Sequence, residues 1–585
     1  MKQKLRKENS MKKTINNLKF LWNYSNNSKH FFILVILLNI IKIIISILVP
    51  LYSAKLVLNL SNNELYRLFL IAFILLMLNS INSILNFIIL KLNIKFSSKI
   101  YLNIEKDIIE RIHILTNKTL DNTSTGTIID RLDSDLDNIS NIYFEMLFRL
   151  TEFIKSIGII IAIFIINPLV GIISILSLSI IFLIDNYQVY KVTNLIEDKN
   201  KKNEKFTETI TEVIRGMRDI KMLNIEKNTI NKLNNQVDNT ISSELKINKT
   251  ANTLGKLASL IDDLTAFFNI SLYVFLISKG SLTITNALIL YNYYSNISSF
   301  GGYIGQIMDN INKFNISTNR IKELFDNEKF NVETFGTKYI KKVKGKFEFK
   351  DVHFGYKDKE VLKGVSFTVN PDETVAFVGK TGSGKTTIFN LLCKMYEVEK
   401  GEILIDNVNI NELDKDTIRG NITVISQSPY IFNMSIKDNL KLVKPNLTNK
   451  EMKEALKTAC LYDYVESLPD KYGTILGEGG VTLSGGQKQR LAIARALIQK
   501  TEIILFDEAT SALDNETQEK ITKAINNMKR EYTIMIIAHR LSTIINADKI
   551  FFLNNGVIEC SGSHEYLLKH SKDYKKLYEK EIKNK

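Results

Sequence analysis

Cysteine is scarce. The 585 residues hold 3, Cys393, Cys460 and Cys560, far apart and with no CxxC pair. That excludes a disulfide scaffold and a zinc-ribbon site, and fits reduced thiols in the cytosol. Proline is scarce too, at 6, and with glycine at only 26 the chain is neither collagen-like nor of low complexity. Acidic residues fall short of basic ones, 62 against 77, for a formal net charge of +15. Residues 1–345 hold 42 basic and 29 acidic side chains, so the surplus belongs almost entirely to that part. A basic excess confined to a hydrophobic region favours an anionic membrane surface over nucleic acid as its partner. The N-terminal segment is not expected to act as a secretory signal. The apolar stretch from Phe31 is too long for a signal core and has no convincing cleavage site.

What the sequence does have is long apolar runs. Six stand out, near 31–54, 67–91, 146–167, 169–190, 257–278 and 284–306. Each reaches about the twenty residues that cross a hydrocarbon core of ~30 Å as a helix. The links alternate between short and long. Residues 92–145 and 191–256 are long, charged and compatible with helix. Their Lys and Arg content, with the positive-inside tendency, predicts that both long links and both termini are cytoplasmic. Upstream, Phe20-Leu21-Trp22-Asn23-Tyr24 holds the single Trp between basic residues. It reads as an interfacial elbow helix or as an ordinary amphipathic turn.

Few ionisable residues fall within the runs, among them Lys42, Glu152, Lys155, Asp185, Asp262 and Asp263. In lipid they should face the bundle interior, a wet cavity or one another, so they predict structural pairing, snorkelling, or a cationic cavity for an anionic substrate. The segment 291–303 (YNYYSNISSFGGY) reads as the lining of an amphipathic pathway, or as a helix contact rich in small residues.

The last ~240 residues read as a soluble α/β domain. There an apolar strand runs into Gly379, Lys380, Thr381, Gly382, Ser383, Gly384, Lys385 and Thr386, with Thr387 beside them, and then into a helix. This is a GxxxxGK[ST] phosphate loop in its strand–loop–helix setting. Its glycines let backbone N–H groups approach phosphates, Lys385 supplies a cation, and Thr386 can ligate Mg²⁺. A second apolar run, Ile503–Phe506, ends in Asp507 and Glu508. Asp507 is placed to hold Mg²⁺ and Glu508 to polarise a water as general base.

The string Leu483-Ser484-Gly485-Gly486-Gln487, followed by KQRLAIARAL, resembles the signature of the ATP-binding cassette transporters, exporter type. The companion motifs follow in order: Tyr356 resembles the adenine-stacking aromatic, Gln427 the glutamine loop, Ser511–Asp514 the loop between subunits, and His539 the switch histidine. The resemblance makes Gln427 and His539 partners of Glu508 in hydrolysis, with Gln427 also touching Mg²⁺. It sets Ser484, Gly485, Gly486 and Gln487 against the γ-phosphate held on the opposite subunit. Glu478 resembles the short loop that senses the membrane domain. Residues 125–139 and 208–221 resemble coupling segments.

The expected fold is therefore an all-α six-helix transmembrane domain followed by an α/β phosphate-loop NTPase domain. The boundaries are 1–30 for a basic segment with the elbow, 31–324 for the membrane domain, 325–345 for a linker and 346–585 for the cassette. Only residues 1–30 precede the first span, too few for an N-terminal peptidase. One cassette implies a half-transporter that pairs with a second, by preference an identical copy. The expected activity is ATP-driven export of an amphipathic molecule (lipid, drug or small peptide), with ATP and Mg²⁺ as cofactors, at the membrane of a bacterial cell. A regulatory ATPase that moves nothing, and an importer on the same scaffold, are the competing readings.

Overall fold

The computed structural model describes the chain apart from residues 1, 27, 62–64, 298–299, 358, 478–479, 508–518, 521–531, 538–543 and 584–585. The residues fall into two compact units, Met1–His113 with Thr123–Phe330, and Ile114–Asn122 with Asn331–Lys585.

The first unit is helical. It contains α1 (Lys2–Asn23), α2 (Lys29–Ser61) and α3 (Leu65–His113). After α4 (Asn117–Asn122), which belongs to the second unit, come α5 (Thr125–Asp130), a π-turn (Arg131–Asp135) and α6 (Leu136–Ser140). The bundle continues through α7 (Ile142–Ile166), α8 (Pro168–Arg215), α9 (Met217–Met222), α10 (Glu226–Ser278), α11 (Ile284–Ile297) and α12 (Phe300–Leu324). The turn into α8 is set locally: Pro168 begins the helix, and Asn167 Oδ1 accepts from the N–H groups of Leu169 and Val170 at 3.1 and 3.2 Å.

Many large apolar side chains point outward, among them Phe69 at 78% and Phe87 at 68% exposure, a surface suited to lipid rather than water. Among the described residues, four helices are long and apolar enough to cross a membrane, within Lys29–Leu60, Leu65–His113, Pro168–Val192 and Glu226–Ser278. The other two expected spans fall on α7, whose apolar part carries Arg149, Glu152 and Lys155, and on α11 with α12, between which residues 298–299 lie outside the described residues.

Several ionisable residues of this unit have partners. Lys155 Nζ donates to Glu152 Oε2 at 2.5 Å, Lys42 lies 5.7 Å over the Phe148 ring, and Tyr294 donates to Asp262 Oδ1 at 2.8 Å. Tyr293 is buried and donates to the Ile47 carbonyl at 3.1 Å. The Glu152–Lys155 contact is a pairing of the expected kind.

The second unit is built on two sheets. One is antiparallel, in the order β2 (Lys359–Val369), β1 (Phe347–Tyr356), β4 (Lys400–Ile405), β5 (Val408–Asn409). The other runs β10 (Val557–Gly562), β9 (Lys549–Asn554), β3 (Thr374–Gly379), β8 (Thr533–Ile537), β7 (Ile503–Asp507), β6 (Ile422–Ile425), with all pairs parallel except β10–β9. Its helices include α13 (Lys385–Leu392), α14 (Lys415–Arg419), α15 (Ile436–Lys441), α16 (Asn449–Thr458), α17 (Tyr462–Ser467) and α18 (Gly485–Gln499).

The central strands are buried on both faces, which explains their unbroken apolar runs. In β3, Ala376 and Val378 join one core with α16 and α18, while Val375 and Phe377 join the other with the antiparallel sheet. Residues 331–345 are tied to this unit by Gly336 N–H to the Leu413 carbonyl (2.8 Å) and Lys338 N–H to Glu412 (2.9 Å). Arg419 forks onto both oxygens of Glu333 at 2.7 and 2.9 Å and reaches the carbonyls of Cys393 and Lys394. Residues 114–122 join through a bridge of Leu115 with Val332 and through Glu333 N–H to the Ile114 carbonyl at 2.8 Å.

Candidate functional site

Parallel pairing puts the carboxyl ends of β3, β6, β7 and β8 along one edge of the sheet, where open α/β folds bind ligands. Gly379 ends β3, Asp507 ends β7, and Gln427 follows β6 by two residues.

The loop between β3 and α13 needs its glycines. Gly382 and Gly384 take φ of 80° and 103°, the left-handed region that other residues avoid. A Cβ at Gly379 would lie 2.2 Å from the Leu553 carbonyl oxygen. The Lys385 side chain is buried and curls back, Nζ donating to the carbonyls of Gly379 at 3.0 Å and Lys380 at 3.2 Å. Ser383 Oγ is buried and, among the described residues, has no hydrogen-bond partner. Backbone N–H groups, a buried ammonium and an unsatisfied hydroxyl at a helix N-terminus fit a phosphate chain.

Thr386 Oγ1 donates to Asp507 Oδ1 at 3.4 Å, so two of the three expected Mg²⁺ ligands stand side by side. A hydroxyl and a carboxylate are hard oxygen donors, and the set fits a small divalent ion completed by phosphate and water. Among the described residues no group of three or more His, Cys, Asp or Glu could hold a metal.

Tyr356, expected to stack on the base, ends β1. Tyr356 is edge-on to Phe354 and to Tyr396, with centroids at 5.0 and 5.2 Å, and its hydroxyl accepts from Asn390 Nδ2 at 3.2 Å. Tyr396 in turn donates to Asp121 Oδ2 of α4 at 2.5 Å. Burial, and then the Asp121 carboxylate, push the Tyr396 phenol above its usual range. Asp121, Tyr396 and Asn390 went unnoticed in the sequence. Nothing local marks Asp121, which lies 275 positions from its partner.

Gln427 is exposed, and its carbonyl accepts from Gln489 Nε2 of α18 at 3.1 Å. Arg495, also on α18, donates to the Tyr430 carbonyl at 2.9 Å and to both the backbone and side-chain oxygens of Asn439. Burial lowers the Arg495 pKa. The helix that begins with the signature thus holds the loop that carries Gln427. Ser484 caps that helix: its Oγ accepts from Gln487 N–H at 3.3 Å, while Gln487 Oε1 accepts from Ser484 N–H at 2.8 Å. Ser484 and Gly485 remain exposed, and the bonds of Ser484 stay within its own first turn. Glu478, Glu508, Ser511–Asp514 and His539 lie outside the described residues.

A phosphate-binding edge of this kind, fused to a bundle with an apolar exterior, defines a nucleotide-driven membrane protein. Residues 32–299 match the family model for the ABC transporter transmembrane region, and residues 362–511 match the ABC transporter model. The chain belongs to the ABC transporters, and it is an ATPase whose hydrolysis is coupled to transport.

An ATP-dependent lipid A-core flippase of Francisella tularensis subsp. holarctica (strain OSU18) is 29% identical over 500 residues, 82% of this chain and 80% of the relative. That of Haemophilus influenzae (strain 86-028NP) is 44% identical over 246 residues, 42% of each. ABC transporter B family member 1 of Dictyostelium discoideum is 32% identical over 464 residues, 77% of this chain and 50% of the relative. The fold is that of a bacterial Atm1-family ABC exporter solved with ATP bound, at a TM-score of 0.81 and 24% identity, covering 94% of this chain and 98% of that one.

Proposed function

We propose that the chain is half of a dimeric exporter that moves an amphipathic, lipid-like molecule out of the bacterial cytoplasmic membrane at the expense of ATP. In this reading a membrane domain over 31–324 delivers substrate and a cassette over 346–585, on the cytoplasmic side with both termini, supplies the work. The observation that carries it is the convergence of Lys385, Thr386 and Asp507 at one sheet edge, in a chain whose other unit exposes apolar helices. The lipid A-core flippases among its relatives support the choice of substrate class.

The residues divide the work. Tyr356 stacks on the adenine, with Asn390 and Tyr396 fixing its ring. Lys385 exchanges two loop carbonyls for phosphate oxygens, and Ser383 and the loop N–H groups share the remaining charge. Thr386, Asp507 and Gln427 would hold Mg²⁺, which would supply positive charge against the phosphates. Glu508 takes a proton from the attacking water, and His539 orients the reacting groups. Ser484 and the Gly485 and Gly486 amides of the second copy close over the γ-phosphate at the start of α18, where the helix dipole favours an anion. Gln427, leashed to α18 by Gln489, reports that closure.

Inverted membrane vesicles test the proposal. ATP-dependent uptake of a fluorescent lipid, together with lipid-stimulated ATP turnover, is expected. ATP turnover with no flux of lipid, drug or peptide would select the regulatory ATPase instead, and flux in the opposite sense the importer.

A further inference from the structure

The helix α1 has two unlike faces. Thr14, Asn17 and Leu21 are buried, while Lys12, Lys13, Ile15, Asn16 and Lys19 are exposed. At 100° per residue, positions 12, 16 and 19 lie opposite 14, 17 and 21, so one side is packed and the other is basic. Over its whole length α1 carries seven Lys and Arg residues against the single acid Glu8.

The packed side is clamped to α12. Asn17 Nδ2 donates to Asn315 Oδ1 at 2.9 Å, Asn315 Nδ2 donates to Thr14 Oγ1 at 2.8 Å, and Lys322 Nζ donates to Asn17 Oδ1 at 2.7 Å. The same ammonium lies 4.8 Å over the Phe20 ring. The two amides are buried and satisfied, so breaking one of them strands the others. From α12 the chain continues directly into the second unit.

The far end of α1 is an aromatic node. Trp22 packs edge-on to Phe32 (5.5 Å) and Tyr143 (5.7 Å), and Phe96 joins them, so four helices meet there. Cations rim the node: Lys29 lies 5.4 Å from the Trp22 ring and Lys95 5.9 Å from the Phe31 ring. Aromatic rings with lysines at one level form the composition that seats at a headgroup layer. The pattern recognises negative charge in a surface, because the cations are spread along a helix and not gathered into a pocket.

We propose that α1 is a sensor of anionic lipid: its basic face binds the headgroups of the leaflet beside it, and the Asn17–Asn315–Lys322 clamp passes that engagement to α12 and so to the rate of ATP turnover. The regulatory half of the proposal rests on the ATPase reading above; the binding half does not.

Trp22, the only Trp in the chain, reports binding directly. The full-length protein is reconstituted in phosphatidylcholine bilayers containing either brominated phosphatidylglycerol or brominated phosphatidylcholine at equal mole fraction. The anionic quencher is expected to be the stronger. Lys12→Gln, Lys13→Gln and Lys19→Gln combined should cut that preference at least tenfold, since each lysine near an anionic surface contributes about fivefold.

ATP turnover measured against anionic fraction is expected to change by about fivefold or more, the lower end of a coupling between two sites. Asn17→Leu and Lys322→Met break the clamp from opposite sides. Both should keep the quenching preference and lose the rate response. Equal quenching by the two lipids in the unmodified protein, or an unaltered preference in the triple variant, overturns the binding claim. A rate response that survives in either folded clamp variant, judged by its unchanged rate in neutral lipid, overturns the transmission claim. No turnover in any lipid would instead overturn the ATPase reading, leaving the quenching result to stand alone.

Discussion

At the scale of single residues, the site is a set of charges placed where backbone geometry permits. Lys385 already sits against the Gly379 and Lys380 carbonyls, so its ammonium needs no long excursion to reach phosphate. Lys385→Ala is expected to lower turnover by roughly 10²–10³, the cost of removing one fixed charge-stabilising group. Phosphate release by the purified chain measures it. Tyr356→Ala should act on affinity: stacking on a base contributes about 1–3 kcal/mol, so nucleotide binding weakens by roughly 5- to 150-fold. Cys393 shows the opposite case, a reactive group type made inert. Its burial pushes the thiol up to about 12, with Arg419 opposing weakly. A folded pKa above the unfolded value means that the neutral thiol stabilises the fold below pH ~9 and that this contribution is lost as pH rises toward 12. At neutral pH, maleimide should therefore modify the half-exposed Cys460 and Cys560 and spare Cys393 until the protein is unfolded, as mass spectrometry would show.

At the scale of elements, the sequence is readable wherever a local pattern dictates the answer. The phosphate loop is contiguous, and its positive-φ glycines and the apolar strands that end in Gly379 and Asp507 follow from short-range rules. The long helices are readable only in part. Hydropathy marks the apolar portion of α3, α8 and α10, yet they run 49, 48 and 53 residues because amphipathic, charged continuations extend each helix past any bilayer. Contacts between distant segments are not readable at all. Arg419 with Glu333, and Asp121 with Tyr396, are ordinary residues until the fold brings them together. The first pair gives a test of how residues 331–345 are anchored. Arg419→Met leaves Glu333, 12% exposed, without its two-pronged partner and frees two carbonyls. A loss of about 2 kcal/mol is expected, between the values for exposed and buried pairs, seen as a lower midpoint in denaturant for the full chain. Ser484→Ala tests two roles of one hydroxyl: the lost cap costs about 1 kcal/mol, read as a lower midpoint in denaturant, and a lost phosphate contact lowers turnover at a denaturant concentration where the variant is still folded.

At the scale of the whole molecule, the single chain presents an exposed helix start at Ser484 and a phosphate loop that, in the dimeric reading, each find their counterpart on a second copy, so the decisive behaviour is that of two copies. Glu508 follows Asp507 at the end of β7, and Asp507 is already beside Thr386. A carboxylate one position further is the group proposed to take the proton from water. Glu508→Gln preserves its shape and hydrogen bonding and removes the base, which typically slows chemistry by 10²–10⁴. Nucleotide binding should survive, because Lys385, Ser383 and Tyr356 are untouched. ATP would then persist between the loop of one copy and Ser484 of the other, and hold the two together. Incubation with ATP and Mg²⁺, followed by measurement of trapped nucleotide and of the distance between spin labels on the two copies, tests this directly. Two occluded ATP per dimer and a shortened distance are expected of identical partners with symmetric sites. Hydrolysis at a near-normal rate would remove Glu508 from its role. Bound ATP without closure would mean that Ser484 of an identical copy is not the natural counterpart, and that the partner is a different half-transporter.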